Sequence, residues 1–258
     1  MSTVIVTGAS MGIGRALALA FADEKATLIL SARGREALDE VAREVATRGA
    51  RAVVVPGDVT DEAHRLDLIR HAVENGGVDV LVNNAGRGFY APALAIDLEK
   101  LRELFELNVL APLRLVQLAA PHLEAARGTV VMMSSVAGVV AAPRYAAYAA
   151  SKFALEAIAM SLRSELAAVG VRVVVIRPGP VDTPFRANAT RGGDVAGYDA
   201  PDPKAQSPEV VAAKTVRAVL RGTAVVETSN FVRVASATSR LAPSLLRRAL
   251  RRMASKAP

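Results

Sequence analysis

The chain has 258 residues, with 32 Lys and Arg against 25 Asp and Glu, a formal charge of +7, and 52% apolar against 22% charged residues. That length and balance suit one large α/β domain and exclude a largely disordered chain. There is no cysteine, so disulfide scaffolds, thiolate metal sites and cysteine nucleophiles are excluded.

The first residues run straight into a strand pattern, Thr3-Val4-Ile5-Val6-Thr7. No basic start followed by an apolar leader is visible, and no later apolar stretch is long enough to span a bilayer. The expectation is a soluble cytoplasmic protein. Continuous apolar runs follow at Leu28–Leu30, Val53–Val55, Val80–Val82, Val130–Met132, Val173–Ile176 and, more weakly, Val225-Val226. Such runs indicate a sheet covered on both faces. Helical patterns lie between them, near 13–23, 35–48, 61–75, 97–122, 145–169 and 208–221. Cap signals open two of them, Thr60-Asp61-Glu62 and Ser207-Pro208-Glu209. The alternation predicts a single-domain, doubly wound parallel sheet of about seven strands, flanked by helices. His64 and His71 share one predicted helix among polar residues and read as solvated surface. The segment 184–206 lacks periodicity and is too long for an ordinary connection; it is either a lid over a site or a disordered loop.

Residues of chemical interest fall at the predicted strand ends. The first strand leads into Thr7-Gly8-Ala9-Ser10-Met11-Gly12-Ile13-Gly14 and then a helix. A glycine-rich turn there lets backbone approach a pyrophosphate at the positive helix end; the alternative is a plain tight turn. The second strand ends in Ser31-Ala32-Arg33-Gly34-Arg35 with no acid to bind ribose hydroxyls. Arg33, with Arg35 beside it, favours the phosphate of NADP over NAD, unless it is only a solvated loop residue. Asp58-Val59 and Asn83-Asn84-Ala85-Gly86 end the third and fourth strands, where open α/β sheets bind ligands. The fifth strand ends at Ser134-Ser135, and Tyr148 and Lys152 follow on one helical face. An ammonium beside a phenol favours phenolate, which a tyrosine needs to exchange a proton with a carbonyl or alcohol near neutral pH. Ser135 could donate to the same oxygen. The bland readings are a packing tyrosine and a solvated lysine.

Taken together, Thr7-Gly8-x3-Gly12-x-Gly14, Asn83-Asn84-Ala85-Gly86, Asn108, Ser135, Tyr148-x3-Lys152 and Pro178-Gly179-Pro180-Val181-Asp182-Thr183 make residues 3–183 resemble the short-chain dehydrogenase/reductase family. The resemblance implies a Rossmann-type fold, a nicotinamide cofactor and an Asn108-Ser135-Tyr148-Lys152 tetrad. On that pattern Tyr148 is the general acid, Ser135 polarises the substrate oxygen, Lys152 binds the nicotinamide ribose, and Asn108 anchors a water-mediated proton relay. Gly8, Ser10, Met11, Gly12, Ile13 and Gly14 would form the cofactor turn, joined by Arg33, Asp58, Val59, Asn84, Ala85 and Gly86. Pro178, Gly179, Val181 and Thr183 would contact the nicotinamide and phosphates. Tyr145 is a decoy; the lysine spacing selects Tyr148. The lid 184–206 carries Arg186 and Arg191, read as solvated, and Phe89, Tyr90, Val136, Tyr145 and Phe185 are candidate walls of an apolar substrate pocket.

The function expected is NADP(H)-dependent hydride transfer between nicotinamide and a carbonyl or secondary alcohol with apolar bulk. The alternative is a non-catalytic NADP-binding sensor or partner protein on the same fold. Relatives often end in a short strand and a Gly-Gly turn that builds a tetramer. This chain reads Val225-Val226-Glu227-Thr228-Ser229-Asn230 instead, which puts a tetramer in doubt; the resemblance implies a homodimer through the 97–122 and 145–169 helices. All acids lie at or before Glu227, and seven bases follow it. The excess charge therefore belongs to a C-terminal extension, 228–258, outside an oxidoreductase domain of 1–227. Within it, 240–258 reads as a basic amphipathic helix that either touches an anionic membrane surface or packs on protein. Nucleic acid is not expected, because 240–258 has no stacking aromatics and the rest is neutral. No metal site is expected.

Overall fold

A computed structural model of the chain describes residues 2–193, 195 and 205–255. In chain order the elements are β1 (Thr3–Thr7), α1 (Gly12–Asp23), β2 (Thr27–Ala32), α2 (Arg35–Thr47), β3 (Arg51–Pro56), α3 (Glu62–Glu74), β4 (Val80–Asn83) and the two-residue β5 (Phe89–Tyr90). Then come α4 (Leu98–Phe105), α5 (Ala111–Ala126), β6 (Thr129–Met133), α6 (Ala146–Ala167), β7 (Arg172–Arg177) and the two-residue β8 (Thr190–Arg191). The C-terminal part holds α7 (Pro208–Arg221), β9 (Val225–Glu227), α8 (Asn230–Leu241) and α9 (Pro243–Ser255). All seven predicted apolar runs form one parallel sheet in the order β3-β2-β1-β4-β6-β7-β9. This is the doubly wound Rossmann-type sheet expected.

Side chains alternate across a strand, so β1 feeds two cores. Val4 and Val6 pack with Leu17, Leu38 and Val219 under α1, α2 and α7. Ile5 packs on the other side with Leu68, Leu115 and Leu155 from α3, α5 and α6. The strand order reverses beside β1, whose neighbours are β2 and β4. A crevice opens at the carboxyl ends of β1 and β4 at such a reversal, and it sets the position of the site.

The caps follow the sequence signals. Asp61 accepts from the Ala63 N–H at the start of α3 and Ser207 from the Val210 N–H at the start of α7, while Gly222 closes α7 at φ +70°. One predicted helix is interrupted. The 97–122 pattern divides into α4 and α5 around a π-helical turn, Glu106–Leu110. Pro112 in the first turn of α5 has no N–H to continue the α-helical ladder, and the Asn108 side chain within the π turn is drawn to the backbone of Arg87. π-Turns of this kind collect at functional positions.

The predicted lid is partly built into the domain. Of its residues, 194 and 196–204 lie outside those described. Its two ends meet, since Val181 bridges to Gln206 and the N–H of Asp182 donates to the Gln206 carbonyl at 3.0 Å. Its middle adds β8 in parallel to β5. Arg191 is half-buried and donates to the carbonyls of Ala187, Ala189 and Arg186; it braces the lid and is not the solvated cation expected. His64 also departs from expectation. It is buried, with Nε2 at 2.9 Å from the Ser31 hydroxyl, because the α3 face that carries it turns toward β2 and Gly57 leaves it room. Burial holds its pKa down against the nearby Asp67, Asp61 and Asp58 charges.

Candidate active site

The carboxyl ends of six strands, β1, β2, β3, β4, β6 and β7, carry the candidate residues. At the first, Gly8 and Gly12 adopt φ +65° and +54°, the left-handed region glycine enters without strain. A methyl group on Gly14 would fall on the Gly8 carbonyl oxygen and 2.6 Å from Asn84 Nδ2. The turn therefore closes tightly only with glycine there. Met11 precedes α1 without a side-chain cap, and the first turn has no acid, so its N–H groups remain directed at an anion. Ser10 is partly exposed beside Met11, whereas Ile13 packs into the core beneath the turn. Thr183 reaches the turn from the far side, where a Gly12 methyl would lie 3.0 Å from its Cγ2.

Thr7 was not among the expected site residues, yet it ties two strand ends together. Its hydroxyl accepts from the N–H groups of Asn84 and Ala85, both at 3.0 Å, and donates to the Val82 carbonyl. Asn84 Nδ2 answers by donating to the Thr7 carbonyl at 2.8 Å. The only sequence signal for this was its place at the head of the glycine turn. Arg33 is exposed at the end of β2 and lies close enough to Asp58 to act on its charge. Burial raises the Asp58 carboxyl, but hydrogen bonds from the Thr60 N–H and hydroxyl, with the Arg33 and His64 charges, hold it below its ordinary range. Val59 is different, since its side chain belongs to the core with Ile29 and Leu68, leaving only backbone for a ligand.

The catalytic candidates come from three elements. Ser135 follows β6 and caps a short 3-10 turn, Val136–Gly138, by accepting from the Ala137 N–H at 3.1 Å. Its side chain lies close enough to the Tyr148 phenol to lower its pKa. Tyr148 and Lys152 lie on the first turns of α6, both buried. Lys152 Nζ donates to the Met133 carbonyl at 2.8 Å and stands 5.8 Å from the Tyr148 ring centre. A methyl at Gly86 would lie 3.6 Å from Nζ and 3.1 Å from Asn108 Oδ1, so the fourth strand end joins this group.

Asn108 is buried and fully engaged. Its Oδ1 accepts from the Arg87 N–H, and its Nδ2 donates to the Arg87 carbonyl and to Ser151 Oγ. The side chain thus braces the Gly86-Arg87 segment against α6. Ser151, another residue the sequence reading passed over, completes that brace by donating to the Tyr148 carbonyl at 2.7 Å. Behind Lys152, one turn along α6, Glu156 receives two 2.8 Å hydrogen bonds from Arg177, which also pairs with Glu227 at 3.4 Å. This triad, with Arg177 buried and both carboxylates half-buried, had no motif to announce it.

The electrostatics differ from the expectation for Tyr148. Burial pushes its phenol up to about 12, opposed by Ser135 and reinforced by Tyr145. Burial pushes the Lys152 ammonium down to about 8, against the Glu156 charge. Desolvation is the largest influence on the phenol, and Lys152 Nζ is turned to the Met133 carbonyl. The phenol is therefore protonated through the neutral range.

The pocket wall is also revised. Tyr145 meets Tyr90 edge to face at 4.9 Å, and Phe185 from the lid faces Tyr148 at 5.7 Å. Val136 is half-buried in the turn beside them. Phe89 instead points into a core with Leu104 and Ala147, because the two residues of β5 face opposite ways. Along 178–183, the Pro178 carbonyl accepts from the Val136 N–H at 2.8 Å. A methyl at Gly179 would meet Ser229 Oγ and Val232 at 3.2 Å, so α8 is packed directly behind it.

Among the described residues no cluster of His, Asp and Glu could hold a metal ion, and no helix is long and apolar enough to cross a membrane. Residues 2–193 match the family model for short chain dehydrogenase. An NADPH-dependent 3-dehydrocapnine reductase of Ornithobacterium rhinotracheale is 35% identical over 199 residues, 75% of this chain and 70% of that protein. A short-chain dehydrogenase from Streptomyces avermitilis superposes with TM-score 0.84 at 29% identity, covering 99% of this chain and 97% of the other. A short-chain dehydrogenase from Sphingobium yanoikuyae in complex with NADPH gives TM-score 0.81 at 25% identity, covering 100% and 97%. The chain is an oxidoreductase that belongs to the short-chain dehydrogenase family.

Proposed function

We propose that this protein is an NADP(H)-dependent oxidoreductase that interconverts a carbonyl and a secondary alcohol, with Tyr148 as general acid and base. The observation that carries the reading is a buried Tyr148 phenol with Ser135 near enough to act on its pKa and Lys152 one turn behind it. The glycine turn, the uncapped start of α1 and the exposed Arg33 suit a dinucleotide with an added phosphate. When bound, the nicotinamide supplies or accepts the hydride. The chain's own part is proton handling and orientation. A substrate carbonyl oxygen takes hydrogen bonds from Ser135 and Tyr148. Tyr148, protonated at neutral pH, gives its proton to that oxygen as charge develops. Lys152 lies beside it to hold a ribose hydroxyl and favour the phenolate left behind. Phe185 and Tyr145 exclude water from the reacting oxygen, with 184–206 as the substrate lid over a 1–227 domain.

Two names in the family support NADP over NAD, the NADPH-dependent reductase and the NADPH complex. The enzyme works in the cytoplasm as a homodimer. Exposed Leu110, Phe153 and Met160 lie on or beside α5 and α6, next to a shallow groove lined by Leu113, Ala157 and Leu162, and a second copy would cover them. The direct test is a panel of aldehydes and ketones with NADPH oxidation as readout. Turnover of at least one carbonyl, with NADH much poorer, is expected. NADPH binding without turnover across the panel would favour the sensor reading.

A further inference from the structure

The C-terminal helices carry a surface that the reaction does not use. α8 is fixed to the domain by one side: Val232 and Ser236 are buried, and the Ser239 hydroxyl donates to the Val139 carbonyl at 2.9 Å. Its opposite side is apolar and outward, with Phe231 58%, Val234 65% and Leu241 85% exposed. Their spacing of three and seven places them on one helical arc. Arg233 and Arg240, seven apart and both exposed, run along one flank of that arc. α9 repeats the arrangement after Pro243. Leu246 and Leu250 are half-buried, Leu245 and Met253 are exposed, and Arg247, Arg248 and Arg251 lie on the polar side.

We infer that α8 and α9 together form a docking surface for an anionic lipid bilayer. The apolar side chains enter the acyl boundary while the flanking arginine stems lie along it and their guanidinium groups reach lipid phosphates. Charge selects this occupant. No acid follows Glu227, so a second copy meeting the chain through this face would set one all-basic surface against another. Residues up to Glu227 balance to zero formal charge, so the rest of the chain offers no compensating acidic excess. A nucleic acid would leave the outward Phe231, Val234 and Leu241 against phosphate with nothing to bury them. α8 packs on Gly179 and on the turn after Ser135, so the docked enzyme would hold its nicotinamide-side wall close to the bilayer. The inference stands on this surface alone and does not require the reaction proposed above.

Sedimentation of the full chain with vesicles tests it, comparing phosphatidylcholine alone with phosphatidylcholine containing roughly 30 mol % phosphatidylglycerol. Binding to the anionic vesicles should be at least about ten-fold stronger and should weaken with salt. Replacing Arg247, Arg248 and Arg251 by alanine should lower it about a hundred-fold, near five-fold per arginine. Val234→Ser with Leu241→Ser should lower it by more than about ten-fold. NADPH binding and circular dichroism should be unchanged in both variants, which separates lost docking from lost folding. Equal binding to both vesicle types overturns the inference. So does absence of vesicle binding, and a change of oligomeric state in the arginine variant would then assign the face to a protein partner.

Discussion

The ion-paired triad around the buried Arg177, behind Lys152, gives the sharpest stability prediction. Arg177→Met removes the cation and leaves Glu156 and Glu227 beside one another. The Arg177 and Glu156 side chains are only 7% and 14% exposed, and two 2.8 Å bonds join them. Removing one partner of such a pair strands a buried charge at about 3–5 kcal/mol, far above the ~1 kcal/mol ceiling of surface pairs. For a chain of this size that corresponds to a fall in Tm on the order of 10 °C. Adding Glu156→Gln should recover at least about 2 kcal/mol, because the carboxylate that suffers most is gone. Urea unfolding of the four proteins at pH 7 measures both quantities. A loss below about 1 kcal/mol for Arg177→Met, or strict additivity in the double variant, would refute the reasoning and place the triad among ordinary surface pairs.

Three further predictions follow from the site and its flanks. Lys152 titrates near 8 when folded, below its ordinary 10.5. The unfolded chain thus binds the extra proton between those values, and its contribution to stability rises with pH across that window. Lys152→Met should abolish that rise, a difference of about 3 kcal/mol between pH 7 and pH 11 in paired urea titrations; parallel curves for the two proteins would contradict it. Arg33→Ala should weaken NADPH binding roughly ten- to hundred-fold, the range of a charge-assisted hydrogen bond, and leave NADH unchanged by fluorescence titration. Met160→Lys with Phe153→Lys should turn a dimer into a monomer in light scattering, because both exposed side chains lie on α6; a monomeric parent protein would remove the dimer reading.

Much of this was legible in the sequence because the governing signals are local. Continuous β-branched runs marked all seven strands of the main sheet, and glycine spacing marked a turn that geometry shows to be closed by Gly14 against Gly8. What escaped depends on tertiary contact. The helical period continues through 105–111, and Pro112 alone does not mark a π turn without the tertiary pull of Arg87 on Asn108. His64 looked solvated because its sequence neighbours are polar, but helix rotation decides burial, and it faces Ser31. Phe89 looked like a pocket wall because it is aromatic and near the site, while the strand pairing of β5 with β8 turns it inward. The motif placed Tyr148 beside Lys152, yet burial sends the phenol upward, since desolvation is invisible in a linear pattern. Glu156 and Arg177 are ordinary residues in the sequence, and only the fold makes them partners.

The account rests on Tyr148 as the proton donor, and one measurement addresses it directly. With a carbonyl the enzyme reduces, single-turnover NADPH oxidation is compared between the parent protein and Tyr148→Phe, with NADPH affinity measured alongside. The phenylalanine keeps the ring against Phe185 and removes only the hydroxyl. The account predicts unchanged NADPH affinity and a rate lowered by about 100-fold or more, the contribution of a positioned general acid. A variant that binds NADPH and reduces the carbonyl at the parent rate would contradict it.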